Sequence, residues 1–227
     1  MSEPTTIPTT TAPNSFIMLR AMVGIGIICA LLIVLTYEGT KPRIQMLREE
    51  ALEQAIFEVL PAITQSAAFI YKDGSFAPLG EDSKADKWPV VYAGYDANDQ
   101  FVGVAIEGSG QGYAGTIKIL YGYDPEAQQV TGFYVLESKE TPGLGDKIES
   151  DEDFLASVAG LDVQLNAAQT GLEHTVVTTK DGEREHPWQV EGISGATITS
   201  RAIGDILASS MSHWAPIIYQ RQNDFQR

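Results

Sequence analysis

The sequence predicts an α+β domain carried behind a single membrane-spanning helix. Three observations lead there. The run "FIMLRAMVGIGIICALLIVLTY", residues 16–37, is apolar apart from Arg20. Between residues 67 and 138 short β-rich runs alternate with turn sequences. Two flanking stretches, 41–61 and 199–214, carry apolar residues at helical spacing. Helices gathered around a meander of strands give the α+β class.

Taken in order, residues 1–15, "MSEPTTIPTTTAPNS", are rich in Thr and Pro and read as a disordered tail. Residues 16–37 would span roughly 33 Å at about 1.5 Å per residue, enough for a hydrocarbon core, and Gly24 and Gly26 suit a membrane helix. A cleaved signal peptide would show a shorter apolar region, a basic start and small residues before a cut site. The expectation is therefore a retained single-pass anchor in membrane lipid. Residues 38–66 form a linker or stalk helix. Ile44, Leu47, Ala51, Ala55, Ile56 and Leu60 make its stripe, Leu52 and Val59 widen it, Pro42 lies near the joint and Pro61 closes it.

Residues 67–215 make up the folded domain. "AAFIYK", "PVVYAGYD", "QFVGVAIEG", "GTIKILYGYD" and "QVTGFYVLES" are strands at meander spacing, separated by "KDGS", "DAND" and "DPEAQ". An antiparallel sheet follows. "DEDFLASVAGL" (151–161) reads as a short helix, "HTVVTTKDGER" (174–184) as a strand entering a turn, and "HPWQVEG" as another short strand. Ile203, Ile206, Leu207, Met211 and Trp214 give helix 199–214 its apolar face, and 216–227 is left as a C-terminal tail.

Composition narrows the function. A formal net charge of −15 argues against nucleic acid as a partner. The lone Cys29 excludes an intrachain disulfide framework and a cysteine-ligated iron–sulfur cluster held by this chain alone. His174, His186 and His213 fall on different elements with no metal-ligand spacing, so no metal site is expected. "GSGQGYAG" (108–115) resembles a dinucleotide fingerprint only in part: Tyr113 stands where the third glycine should be, and a strand pattern follows instead of a helix. A glycine-rich turn that lets backbone approach something closely is the better reading.

Two segments remain. In "SKETPGLGDKIES" (138–150), Pro142, Gly143 and Gly145 fix a tight loop, with Leu144 held out between the glycines. That loop reads either as an ordinary turn or as an apolar wedge against a flat ligand. "EGISGATITSRAIGDIL" (191–207) crowds Ser194, Thr197, Thr199 and Ser200 at a helix entrance. One hydroxyl is explained by N-capping, with Thr197, Thr199 or Ser200 as the cap. The rest suit an anion site: a helix N-terminus offers free N–H groups and the positive end of the dipole. Gly195 and Ala196 leave room for a phosphate, and Thr197 could carry it covalently.

"SGATITS", "ETPGLGDKIE" and "GYAGTIKILYGYD", in this chain with its single anchor, resemble the G subunit of the Rnf-type ion-translocating electron-transport complex. That is an FMN-binding domain family, similar to the C subunit of the sodium-translocating NADH:quinone reductase. The resemblance covers residues 16–215. In that family a separate flavin transferase joins FMN through its phosphate to the last hydroxyl of an Asp-x-x-Ser/Thr-Gly-Ala-Thr/Ser motif. It implies FMN on Thr197 by a phosphoester, with Ser194, Gly195 and Ala196 beside it. Glu191, where the family usually has Asp, becomes the residue for transferase recognition. Glu140, Thr141, Pro142, Gly143 and Leu144 become flavin-pocket residues. Thr116 stands where some relatives have Pro.

The implied function is electron relay within a complex coupling ferredoxin and NAD chemistry to ion translocation. The chain would be a translocase subunit among other membrane and peripheral subunits, not a self-contained enzyme. The alternatives are the equivalent quinone-reductase subunit and a non-redox membrane-anchored sensor or assembly protein. A positive-inside count of Arg20 against Lys41, Arg43 and Arg48 would put the domain in the cytoplasm. The resemblance puts it on the periplasmic side of a bacterial inner membrane. The expectation follows the resemblance, because long domains cross largely regardless of charge.

Overall fold

The structure is a computed structural model that describes residues 15–80 and 88–226. The chain divides into two compact units, Met1–Glu50 and Ala51–Arg227. The first contains most of helix α1, Ser15–Val59, which continues through Pro42. An 18-residue window of α1 reaches a mean hydropathy of 2.6 with none of it buried. The tail expected over 1–15 lies, except for Ser15, outside the described residues.

The second unit is built on a seven-stranded sheet in the order β2-β1-β3-β4-β5-β6-β7. Its strands are β1 Gln65–Lys72, β2 Ser75–Pro78, β3 Val90–Tyr95, β4 Phe101–Gln111, β5 Thr116–Asp124, β6 Gln129–Glu137 and β7 Leu161–Asp162. All neighbours are antiparallel. Period-two alternation gives the sheet two apolar faces. Ala105 of β4 and Leu120 of β5 face a small cluster with Ala55, Ile56 and Val59 from the end of α1, and with Leu60 and Ile63. Their neighbours Val104, Ile106, Ile119 and Tyr121 face the main core, with Phe154, Ile203, Ile206, Leu207, Met211 and Trp214.

Helix α2, Glu152–Val158, begins where the Phe154 N–H donates to Asp151 Oδ1 at 3.0 Å, a side-chain N-cap. The strand expected over 174–184 shrinks to β8, Val177–Thr178, which pairs in parallel with β9, Gln189–Val190. Helix α3, Thr197–Gln220, crosses the main-core face of the sheet. Gly108 and Gly110 of "GSGQG" lie inside β4, and only Gly112 and Gly115 belong to the turn that follows. A Cβ on Gly108 would sit 2.6 Å from Ile206 Cγ2, and one on Gly110 2.7 Å from Ile206 Cγ1. The close approach they permit is that of α3.

The tail assigned to 216–227 needs correction. Helix α3 includes Pro216 and ends at Gln220, and a 3-10 turn, Gln222–Phe225, follows. Phe225 is fully buried and stacks on Phe101, with centroids 4.9 Å apart. Its carbonyl accepts from Tyr95 Oη at 2.8 Å, and Asp224 Oδ2 accepts from the Phe76 N–H. One buried aromatic and two hydrogen bonds to the sheet keep this end packed, a signal too sparse to show as periodicity.

Candidate functional site

A cleft of about 350 Å³ opens at the start of α3. Three segments wall it: the β4–β5 hairpin tip with Tyr113, the loop with Glu140, Thr141, Leu144 and Gly145, and the α3 entrance from Gly195 to Thr199. The hairpin tip closes with the Gly112 N–H donating to the Gly115 carbonyl at 2.8 Å. The entrance bends at Gly195, whose φ of +85° is a left-handed conformation that favours glycine.

Each hydroxyl of "SGATITS" that the helix brings in has its own task. Ala196 occupies the N-cap position and no side chain caps the helix, so the first-turn N–H groups have no intrahelical partner. Ser200 Oγ accepts from the Ile193 N–H at 3.2 Å and donates back to the Thr197 carbonyl, fixing the bend before the helix. Thr199 is buried and donates to Glu140 Oε2 at 2.6 Å. Thr197 is exposed on the rim, its Oγ1 donating weakly to the Ile193 carbonyl at 3.4 Å. Ser194 is also exposed but precedes the helix, so of the hydroxyls within α3 it is Thr197 that is open to solvent beside free helix N–H groups, where an anion is favoured.

Thr197 also borders a second groove, of about 310 Å³, lined by Lys180, Asp181, Glu183, Ser194 and Arg201 among others. Lys180 and Glu183 form an exposed ion pair there at 3.5 Å. Lys147 Nζ donates to the Ser194 carbonyl at 3.5 Å, bringing a cation to the bend before Thr197.

The structure thus gathers Glu140, Thr141, Leu144, Gly195, Ala196 and Thr197 around one cleft. Pro142 and Gly143, both exposed, set the loop without lining it, and Ser194 faces the second groove. Glu191 is turned inward: it is 9% exposed, with its Oε1 accepting the Gly182 N–H. Sequence reasoning passed over Tyr113 and Ile198 as lining residues, and took Gly145 only as a loop former and Thr199 only as a hydroxyl of the helix entrance. Tyr113 had a signal, since a large aromatic between glycines at a hairpin tip has little to pack against in the core.

The rim suits a flat, partly apolar ligand carrying an anionic end. Tyr113, Leu144 and Ile198 are 70%, 52% and 53% exposed, and they form an apolar collar over a polar floor. Covering such side chains is what a ring system in a preformed cleft does, while the helix entrance takes the charge. The residues present therefore fit FMN. The three histidines are otherwise engaged. His174 and His186 stack on Trp188 at 3.9 and 4.4 Å, His213 packs against Trp214, and no cluster able to hold a metal occurs among the described residues.

Comparison with known proteins agrees with this geometry. The FMN-binding domain family matches residues 112–212, a span running from the hairpin tip into α3. The G subunit of the Methanosarcina acetivorans ion-translocating oxidoreductase complex is 35% identical over 195 residues, covering 85% of this chain and 90% of that one. The chain belongs to the G-subunit family of ion-translocating oxidoreductase complexes. Other relatives in this family include the G subunit of the Aliivibrio fischeri complex, 32% identical over 177 residues, covering 76% of this chain and 77% of that one. The G subunit of the Acetobacterium woodii Na(+)-translocating ferredoxin:NAD(+) oxidoreductase complex is 30% identical over 185 residues, covering 79% and 81%. Among solved structures, Shewanella oneidensis NqrC superposes with a TM-score of 0.55 at 17% identity, covering 78% of this chain and 95% of that one. The C subunit of the Parabacteroides distasonis Na(+)-translocating NADH-quinone reductase gives 0.53 at 21% identity, covering 69% and 78%. These two share the fold. In this chain the expected α+β architecture is present, the matched domain is of the FMN-binding kind, and α1 contains a stretch long and apolar enough to cross a membrane.

Proposed function

We propose that this chain carries FMN, tethered through its phosphate to Thr197 Oγ, and relays electrons within a membrane-bound ion-translocating oxidoreductase complex. One observation carries the reading: the exposed Thr197 hydroxyl stands at an uncapped helix N-terminus on the rim of a cleft with an apolar collar. When bound, FMN supplies a ring that accepts and hands on electrons singly or in pairs. The chain's own residues do the rest. The first-turn N–H groups and Lys147 would hold the phosphate, Tyr113, Leu144 and Ile198 would cover the ring, and the buried floor holds the walls in place.

The attachment is made by a separate flavin transferase. Glu191 contributes to its recognition motif by holding the 180–183 turn beside Thr197. The other subunits of the complex, in the membrane and at its surface, supply and remove the electrons. The domain faces away from the cytoplasm, on the periplasmic side of an inner membrane. A C-terminal fusion should give an active periplasmic phosphatase and a dark cytoplasm-only reporter; the opposite pattern overturns this placement.

Attachment is tested by producing the full chain with a flavin transferase. The denatured protein should fluoresce as flavin and gain the mass of FMN less one water. Thr197→Ala should lose both signals and Thr197→Ser should keep part of them, because the bond needs only an Oγ. A fluorescent Thr197→Ala chain would refute the assignment. A colourless wild type would favour the non-redox anchor protein.

A further inference from the structure

We propose that Glu140 is a positioning residue that ties the three walls of the cleft together, and that its charge holds down the reduction potential of the flavin bound there; the second half rests on the FMN reading above. Glu140 is 8% exposed. Its Oε1 accepts from the Ala114 N–H at 2.9 Å and its Oε2 from Thr199 Oγ1 at 2.6 Å. One side chain on the loop before Thr141 thus grips both the hairpin tip and the first turn of α3. Each wall it joins carries one residue of the apolar collar: Tyr113, Leu144 and Ile198.

The surrounding glycines are cut to this side chain. A Cβ on Gly112 would lie 2.5 Å from Glu140 Oε1, and one on Gly145 would run into Oε2 and lie 2.7 Å from the Glu140 Cβ. Gly112 belongs to the hairpin and Gly145 to the loop, so two separate segments leave out a side chain at the same carboxylate. A buried acid is held at considerable expense in solvation unless donors or cations compensate it. Among the described residues Glu140 has two donors and no ion pair, the lone salt bridge being Lys180–Glu183.

A neutral side chain would serve as the brace without that cost. Glutamine could accept from Ala114 with its carbonyl and donate to Thr199 with its amide, the threonine hydroxyl turning to accept. What the carboxylate adds is negative charge in the lining of the cleft. Reduction adds electrons to a ring in that cleft, and a fixed anion in a poorly solvated wall opposes the change. Glu140 therefore biases the cofactor toward giving electrons up.

The test uses the full-length, flavin-loaded chain in detergent, with midpoint potentials read by spectroelectrochemistry. Glu140→Gln should raise the potential, increasing the reduced-to-oxidised ratio at fixed applied potential about tenfold, which is about 30 mV for a two-electron couple. Thr199→Val removes a donor but leaves the charge, so it should lower that ratio. A Glu140→Gln change below about twofold, or a rise in Thr199→Val, overturns the electrostatic role. Should either variant fail to load flavin, the other decides the matter. The brace is tested separately in the flavin-free Thr197→Ala background by amide hydrogen exchange. The Ala114 amide should exchange at least tenfold faster with Glu140→Ala and near its original rate with Glu140→Gln; equal rates in all three chains overturn it. A wild-type chain that takes up no flavin defeats the FMN reading and leaves the Ala114 measurement to judge the brace alone.

Discussion

Alanine at Gly108 should loosen the sheet's grip on the helix that begins at Thr197. The new Cβ would lie 2.6 Å from Ile206 Cγ2, against a comfortable carbon–carbon separation of about 3.5–4.0 Å, so a gap of roughly 1 Å must open. Neither partner can yield freely. Ile206 is 4% exposed, and at Gly108 β4 is held in register by Ile119 of β5, two residues beyond its last pairing with β3. Overpacking of this kind costs about 1–3 kcal/mol, which for a chain of this size lowers Tm by roughly 2–12 °C. Ile206→Ala alone should cost about 2–5 kcal/mol by leaving a cavity. Combined, the methyl at 108 occupies part of that cavity, so the double variant should be less unstable than the sum by about 1 kcal/mol or more. Thermal unfolding of the full-length chain in detergent, followed by circular dichroism, measures all three. A Gly108→Ala chain within about 1 °C of wild type, or a strictly additive pair, would refute the packing argument.

Phe225→Ala should destabilise the domain by about 3–5 kcal/mol, since the ring is fully buried between Phe69, Phe76 and Phe101; a loss under about 1 kcal/mol in denaturant titration would return 216–227 to the status of a tail. Burial and then the nearby Glu107 push Tyr92 up to about 12, and burial pushes Tyr121 and Tyr123 higher still. Because these folded values lie above the ordinary value of 10.0, their contribution is intact below about pH 10 and is lost as pH rises through the folded values. Urea midpoints should therefore fall steeply above about pH 10, and a flat profile to pH 12 would contradict this. Leu144→Ala should change the flavin spectrum while leaving attachment intact and stability within about 0.5 kcal/mol, as expected for a half-exposed side chain; an unchanged spectrum would make 141–145 an ordinary turn.

What was legible in the sequence follows from which interactions are local. β1, β3, β4, β5 and β6 announced themselves through β-branched and aromatic runs between recognisable turns. β2 did not: Ser75–Pro78 is four residues long and ends in proline, and it forms because it pairs with β1. Gly108 and Gly110 looked like a turn because strand propensity says nothing about a helix packing onto the strand from nearly a hundred residues away. The segment 174–184 carried a strand pattern, yet only Val177–Thr178 found a partner before the turn at 180–183. At the cleft, the crowding of small and hydroxylated residues before α3 was visible, because capping and anion sites are built from consecutive residues. The engagement of Thr199 and Ala114 by Glu140 was not, since those contacts span 59 and 26 residues of chain.

The most direct test of the central claim is to locate the flavin by tandem mass spectrometry. Tryptic cleavage after Arg184 and Arg201 yields one peptide, residues 185–201, carrying Ser194, Thr197, Thr199 and Ser200 together. In the chain matured with a flavin transferase, fragment ions should place the whole FMN increment on Thr197. The buried Thr199 and Ser200, held by Glu140 and the 193–197 bend, should be unmodified. An increment on Ser194 or Thr199, or a peptide recovered without flavin from a coloured protein, would contradict the account.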